Sequence, residues 1–592
     1  MIDRTTRLRW RRRVRRSRRQ VEDMGTQAEE HLDRHLFKRL NRFINVRRFI
    51  ATWIAFMLLL IGGVFMQIRG LGKHYLAAQP APGGIYVEGI LGSFTNANPL
   101  YANNSVDSSV SRLVFASLLK YDQNHQLVGD LADSYTSDER GSTYTVHLRP
   151  DLKWQDGEPL TADDVVFTYQ SIQNPDAQSP FASSWRGITI SAKDKQTVVF
   201  VLPNALSAFP YSLTTGIVPK HLLSGIPITQ LRSVNFNVTK PIGSGPFKWE
   251  AIEVKGDTPE TREQQIALVP YEDYHAGKAK LSKFIVRSFH DEQHMVQSFN
   301  SNELNGMAGL NDTPEGYNKN INIYEHDIPL LSEVLVFLKN SNEVLQDAKV
   351  RQALTRATNT GQIIGELGHP VIPAREPLLQ AQVGYDKSLQ ELSYDPAQAK
   401  SLLEGSGWKV GKNGIRFKDG KPLTIRVYAQ DNSDYTKVTK TLKDQWQAVG
   451  VDFQLFLQAD TDLQTTVAFH NYDALVYGIS VGVDPDVLAY WHSSQADITS
   501  SHLNLSEYKS PTADKSLEAG RTRTDAAIRA IKYHPFLQAW HDDAPAIALY
   551  QPRFLYITRG QLFNFKPISM VGGPDRYANV ENWMIHETRT AE

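Results

Sequence analysis

His290-Asp-Glu-Gln-His294 and His541-Asp-Asp543 bring together the residue types that ligate a divalent metal. Two histidines four apart share one face of a helix, yet neither group supplies a third convergent ligand, so both read as polar helix surface. The same holds for His31 and His35. Gly243-Ser-Gly245 has the glycines of a phosphate cradle, but it lacks the Lys-Ser/Thr that should follow and runs into Pro246, so it reads as a tight backbone turn. No His-Glu-x-x-His pair occurs in the chain. Cysteine is absent altogether, which excludes a thiolate nucleophile, a thiolate metal site, a disulfide and a lipid-modified cysteine anchor. Residues suited to catalysis are present, but no arrangement that would make them catalytic can be named.

The elements that must position any site follow an α/β pattern. Tyr144, Val146 and Leu148 alternate with polar neighbours, as do Leu423, Ile425 and Val427, and Val451, Phe453 and Leu455. A period of two predicts half-buried strands. Thr161-Ala-Asp-Asp164 predicts a capped helix start, followed by Val165, Val166, Tyr169 and Ile172 on one face. Asp395-Pro396 sets an N-cap and a first-turn proline, with Gly405 and Gly407 as stops. Tyr435, Val438, Leu442 and Trp446 give a further helix that ends at Gly450. No fixed-period repeat is present.

The chain has 592 residues, with 64 Lys and Arg against 64 Asp and Glu, and 41% hydrophobic residues, so disordered and fibrous classes are excluded. Single cores stop growing near about 250–300 residues, so more than one is expected. The zero net charge hides an asymmetry, because residues 1–48 hold 16 basic against 6 acidic side chains and the rest 48 against 58. After that basic segment, residues 49–68 are apolar except for Thr52 and Gln67 and carry no charge, which predicts a transmembrane helix. A signal peptide would have an apolar region of about 7–15 residues and a small-residue cleavage site. Here the run is longer and exits into Arg69 and Lys73, although Ala77-Ala78 leaves cleavage open.

Basic residues flank the span on its N-terminal side, which places residues 1–48 in the cytoplasm and the bulk of the chain outside, as a single-pass protein of the cell membrane. Arg11-Arg-Arg-Val-Arg-Arg-Ser-Arg-Arg19 then reads as an orientation signal and a contact for anionic lipid rather than a nucleic-acid patch. Leu32, Leu36, Leu40, Phe43 and Ile44 predict an amphipathic helix on the inner leaflet over residues 29–46. Gln79-Pro-Ala-Pro-Gly-Gly84 closes a linker over 69–84.

Asp151-Leu-Lys-Trp-Gln-Asp-Gly-Glu-Pro-Leu-Thr-Ala-Asp-Asp-Val-Val-Phe167 resembles the signature of the peptide/nickel-type extracellular solute-binding proteins, family 5, of ABC transporters. Asn98-Pro99, Leu131-Ala-Asp-Ser134, Pro241-Ile-Gly-Ser-Gly-Pro-Phe247, Val336-Phe-Leu-Lys-Asn340, Tyr394-Asp-Pro396, Asp484-Pro-Asp486 and Asp543-Ala-Pro545 follow in the family's order. The likeness covers about residues 85–590. It implies a two-lobed periplasmic-binding-protein-like fold (type II, cluster C) with a hinge, preceded here by the one transmembrane helix. The expected division is a first lobe of 85–327 completed by 552–592, and a second lobe of 328–551. The implied function is to bind short peptides or peptide-like solutes between the lobes and deliver them to permease subunits, without cofactor, metal or catalysis. A membrane-anchored ligand sensor and an extracytoplasmic hydrolase on the same scaffold remain as alternatives.

In the family a peptide's backbone is held strand-like, and its free amine meets an aspartate just before the Asp-Pro-Asp motif. This chain has Tyr477-Gly-Ile-Ser-Val-Gly-Val483 there, with Val481 in the aspartate's place and no carboxylate in the segment. An ammonium buried without a partner costs several kcal/mol. Either Asp484 or another acid substitutes, or the ligand is blocked, uncharged or not a peptide. The candidate ligand-binding residues implied are Phe94, Asn98, Trp185, Tyr477, Ser480, Val481 and Asp484.

Overall fold

A computed structural model describes residues 47–74, 76–122, 126–256, 258, 262–389, 391–497 and 503–591. The chain divides into a unit of Met1–Gln79 with Glu587–Glu592 and a unit of Pro80–His586. In the first unit, helix Arg47–His74 contains the stretch Phe49–Gln67, whose mean hydropathy is 2.4 and none of which is buried. It is long and apolar enough to cross a membrane. The helix runs on to His74, and Leu76–Ala81 pairs as a strand with His586–Ala591, in the region read as a linker. The helix predicted over 29–46, with His31 and His35, lies outside the described residues.

The second unit is built on two mixed sheets. The first runs in the order Ile323–Pro329, Arg553–Arg559, Gly306–Leu310, Ile85–Leu91, Lys283–Phe289, Glu263–Pro270, Phe247–Lys255. The second runs Ile372–Pro373, Ala546–Gln551, Ser332–Leu338, Ala474–Ser480, Thr424–Gln430, Asp452–Gln458. A four-stranded antiparallel sheet, Ala132–Ser137, Thr143–Leu148, Thr197–Val201 and Thr189–Asp194, adds to the first half.

Ser332–Leu338 explains why the second sheet sits in the middle of its lobe. From Val334 to Leu338 no residue is more than 1% exposed, because the strand is apolar on both faces. Strand alternation sends Val334, Val336 and Leu338 into a cluster with Leu442 and Trp446, and Leu335 and Phe337 into another with Trp491 and Trp540. Each such aliphatic or aromatic burial contributes about 1.5–3 kcal/mol. The first sheet has its own core, which includes Tyr86, Phe284, Val286 and Trp583.

The chain passes between the sheets at Leu330-Leu331 and returns at Pro552. The two passages lie side by side, because Leu330 N donates to Pro552 O at 2.9 Å and Pro329 is registered on Arg553. A pair of adjacent short crossings can flex without breaking either core, which is the anatomy of a hinge.

Candidate functional site

A cavity of about 680 Å³ opens where the two lobes face each other. Its first wall is helix Ser105–Val114. Ser108, Ser111, Arg112 and Phe115 recur at the spacing of one helical face and line the cavity, while Val106, Val110, Leu113 and Val114 are fully buried in the core. Asn104 caps the helix, its side-chain oxygen accepting from Asp107 N at 2.8 Å. Asp107 in turn accepts from Thr95 N at 2.7 Å, Asn96 N at 3.0 Å and Asn104 Nδ2 at 2.7 Å. Burial pushes its carboxyl up from the ordinary range, and these hydrogen bonds pull it partly back. Asn104→Ala is expected to cost about 1–2 kcal/mol, read from the denaturant midpoint; a loss below a few tenths would show that the cap is redundant.

The far end of this helix is held by the segments that carry the family likeness. A Cβ on Gly243 would come within 2.0 Å of Val114 O, so only glycine permits the contact, and Gly245 N donates to Val114 O at 2.8 Å. Gln155 in the 151–167 run donates through Nε2 to Val114 O at 3.2 Å and to Phe247 O at 2.8 Å, and accepts from Gly243 N at 3.0 Å. Both segments therefore act by bracing the wall, since neither borders the cavity. The predicted turn at Gly243-Ser-Gly245 has this packing reason.

The opposite wall comes from the second lobe, where strand Ala474–Ser480 ends. Val481 N and Gly482 N both donate to Leu331 O, at 3.0 and 2.9 Å, tying the loop to the hinge. Gly482 has φ +76°, a conformation that costs glycine nothing. Asp484 follows, its carboxylate gripped by Arg529 through two hydrogen bonds of 2.7 and 2.6 Å. Asp486 Oδ2 takes one from Arg521 at 3.0 Å, while its Oδ1 is buried without a hydrogen-bond partner. Burial raises the Asp486 carboxyl; Arg521 opposes this and Asp484 adds to it. The floor is completed by Gly572, Pro574 and Asp575, from the segment that follows the return crossing.

Of the predicted residues, Val481 and Asp484 line the cavity. Tyr477 and Ser480 lie on the strand that leads to them. The Tyr477 hydroxyl accepts from Gln464 Nε2 at 3.3 Å, and the Ser480 carbonyl from the Tyr490 hydroxyl at 2.7 Å. Phe94, Asn98 and Trp185 do not reach it. Phe94 is buried against Trp249, with ring centroids 5.8 Å apart. Asn98 is spent on its own loop, accepting from Leu100 N at 3.0 Å and donating to Asn237 Oδ1 at 3.0 Å. Trp185 stacks on Tyr169 at 4.0 Å in the first core.

Sequence reasoning missed Arg112, Asp486 and Asp575. The polar residues Ser108, Ser111 and Arg112, at helical spacing, were a readable signal for the first, whereas nothing in the sequence marks the third. The lining holds hydroxyls, two tyrosines, one arginine and three aspartates, with no histidine or lysine beside them. Such a set binds polar groups and charges. Elsewhere, His294 pairs with Glu263 at 3.1 Å and His541 with Asp542 at 2.9 Å, and no group of three potential metal ligands forms among the described residues.

Residues 126–500 match the sequence profile of bacterial extracellular solute-binding proteins, family 5 Middle. The oligopeptide-binding protein AppA of Bacillus subtilis is 29% identical over 489 residues, covering 80% of this chain and 88% of that protein. The solved structure of Bacillus subtilis AppA in complex with a nonapeptide superposes with a TM-score of 0.68 at 26% identity, over 86% of this chain and all of that one. NikZ of Campylobacter jejuni, solved with Ni(L-His), gives a TM-score of 0.71 at 24% identity over 84% of this chain and 99% of its own, a likeness of fold.

Proposed function

The chain belongs to the bacterial extracellular solute-binding proteins of family 5, and on that premise we propose that it is the membrane-anchored, extracytoplasmic binding component of an ABC importer. It takes short peptides or peptide-like solutes between its lobes and hands them to the permease unaltered. The observation that carries this is the cavity itself, walled by both lobes and tied through Val481 and Gly482 to the crossing at Leu331. A ligand that touches both walls favours the closed form, so occupancy becomes shape, and shape is what a membrane partner can read. Removal from water strengthens each hydrogen bond made to the ligand.

The lobes are those expected, 85–327 with 552–592 and 328–551, with the first boundary moved to the crossing at Leu330-Leu331 because strand Ile323–Pro329 belongs to the first sheet. The helix over residues 49–68 is the uncleaved anchor, with residues 1–48 in the cytoplasm. Asp486 is the acid that stands in for the carboxylate lacking at Val481: it lines the cavity and takes a single hydrogen bond from Arg521, while Asp484 is committed to Arg529 through two. The relative solved in complex with a nonapeptide supports a peptide ligand.

Full-length protein in detergent tests this. Mass spectrometry of the small molecules it carries is expected to recover short peptides, and adding them back at about a hundred times Kd should stabilise the protein by about 2.7 kcal/mol. Recovery of only a sugar or a metal chelate would overturn the ligand class, and turnover of the added peptide would overturn delivery without change.

A further inference from the structure

We propose that Arg112 holds the ligand by an anionic group, a carboxylate in a peptide-like solute, and thereby sets specificity on the first lobe's wall. The assignment rests on reading the cavity as the solute site, and concerns which end of the solute that wall recognises. Each acid on the second lobe's wall has its own guanidinium within hydrogen-bond distance, Arg529 on Asp484 and Arg521 on Asp486. Neither leaves a cation over for a ligand.

Arg112 differs. Its Nη1 makes two long contacts, 3.3 Å to Ser117 Oγ and 3.5 Å to Thr214 O, and its Nη2 is buried with no hydrogen-bond partner. The nearest acid, Asp575 Oδ1, stands off at 3.7 Å. Asp575 is not free to close that gap, because its other oxygen accepts from Val571 N at 3.0 Å and Gly572 N at 3.2 Å. A buried guanidinium nitrogen without an acceptor is costly, and the planar fork matches a carboxylate. Asp575 offsets part of the charge without filling the hydrogen-bond site, and Ser111, one residue away on the same face, offers a hydroxyl to the second oxygen. Arg112 and Asp486 line the cavity from different lobes, and each has one polar atom without a hydrogen-bond partner. A short solute that carries both charges joins the two lobes, and one without a carboxylate leaves Arg112 unmatched.

A tetrapeptide library made in two forms, free carboxylate and C-terminal amide, can be offered together to the full-length protein and to R112Q and R112K, with retained peptides counted by mass spectrometry and unfolding midpoints measured in parallel. The wild type is expected to retain the carboxylate form about tenfold over the amide, the scale of one charge-assisted hydrogen bond. R112Q should lose that preference to within about twofold, and R112K, which keeps the charge without the fork, should fall between. A folded R112Q that keeps the wild-type preference overturns the assignment; if R112Q does not fold, full preference in R112K overturns it. Equal retention of both forms by the wild type overturns it while leaving the peptide site intact. Retention of neither overturns the peptide reading as well.

Discussion

Glu88→Ala is expected to destabilise the folded unit by about 3–5 kcal/mol, because it strands a charge that has no route to water. Glu88 lies on the central strand Ile85–Leu91 and is 0% exposed. Arg576 grips it from Nε at 3.1 Å and Nη2 at 2.9 Å, and the Tyr577 hydroxyl donates to the same carboxylate. Arg576 also donates to Gly573 O at 2.6 Å and Ser109 Oγ at 3.2 Å, so one buried guanidinium joins the sheet, the cavity-lining helix and the floor segment. Arg576→Ala should cost as much as Glu88→Ala, and a Glu88→Leu/Arg576→Met pair should recover part of the loss, since no charge is then left buried alone, while the Tyr577 hydroxyl, Ser109 Oγ and Gly573 O lose a partner. Equilibrium urea unfolding measures all three. Single variants that lose under 1 kcal/mol, or a double variant that is no better than the singles, would contradict this account.

Stability is also expected to fall as pH rises from about 4.5 to 8, with Glu333→Gln flattening the fall. Glu333 follows the outward crossing directly, is 0% exposed, and neither carboxylate oxygen has a hydrogen-bond partner. Burial drives its carboxyl well above the ordinary range, and Glu391 and Glu376 add to the rise. Glu376 is itself pushed up to about 8 by burial, with Asp386 adding charge repulsion. Burial also raises Glu391, against the Ala548 amide and Arg375.

The folded protein therefore keeps protons that the unfolded chain releases near its ordinary carboxyl pKa. Stability is greatest below that value and is lost as pH climbs through the raised ones, by about 1.4 kcal/mol per pH unit for each group involved. Glu333→Gln cannot ionise, so its advantage over the wild type should grow between pH 5 and pH 8 by a few kcal/mol at most. Melting curves at pH 5, 6.5 and 8 decide it, and parallel curves for the two proteins would refute it.

Local signals proved sound wherever the chain's own chemistry sufficed. The capping box at Thr161 starts helix Ala162–Gln173, Asp395-Pro396 starts Pro396–Gly405, and the alternation at Tyr144, Val146 and Leu148 is the strand Thr143–Leu148 with all three buried. The site was legible only in the loop after Ser480. An aromatic residue fits a core as well as a cleft, and Phe94 and Trp185 went to the core. Asn98 has the side chain of a ligand contact but serves its own turn. The partners of Asp484 and Asp486 come from helix Ala526–Asp543 and from Arg521 at the end of the helix before it, and Asp575 arrives from the C-terminal segment. Only tertiary structure brings these together, and no local pattern encodes them.

Strand Arg553–Arg559 sits between Ile323–Pro329 and Gly306–Leu310, and Arg576 lies still further along the chain. As the polypeptide emerges N-terminal end first, the earlier lobe consequently stays split, with Glu88 lacking Arg576, until the later one has emerged in full. A truncated or stalled product thus cannot seal its first half, and quality control would meet an open edge beside a lone acid.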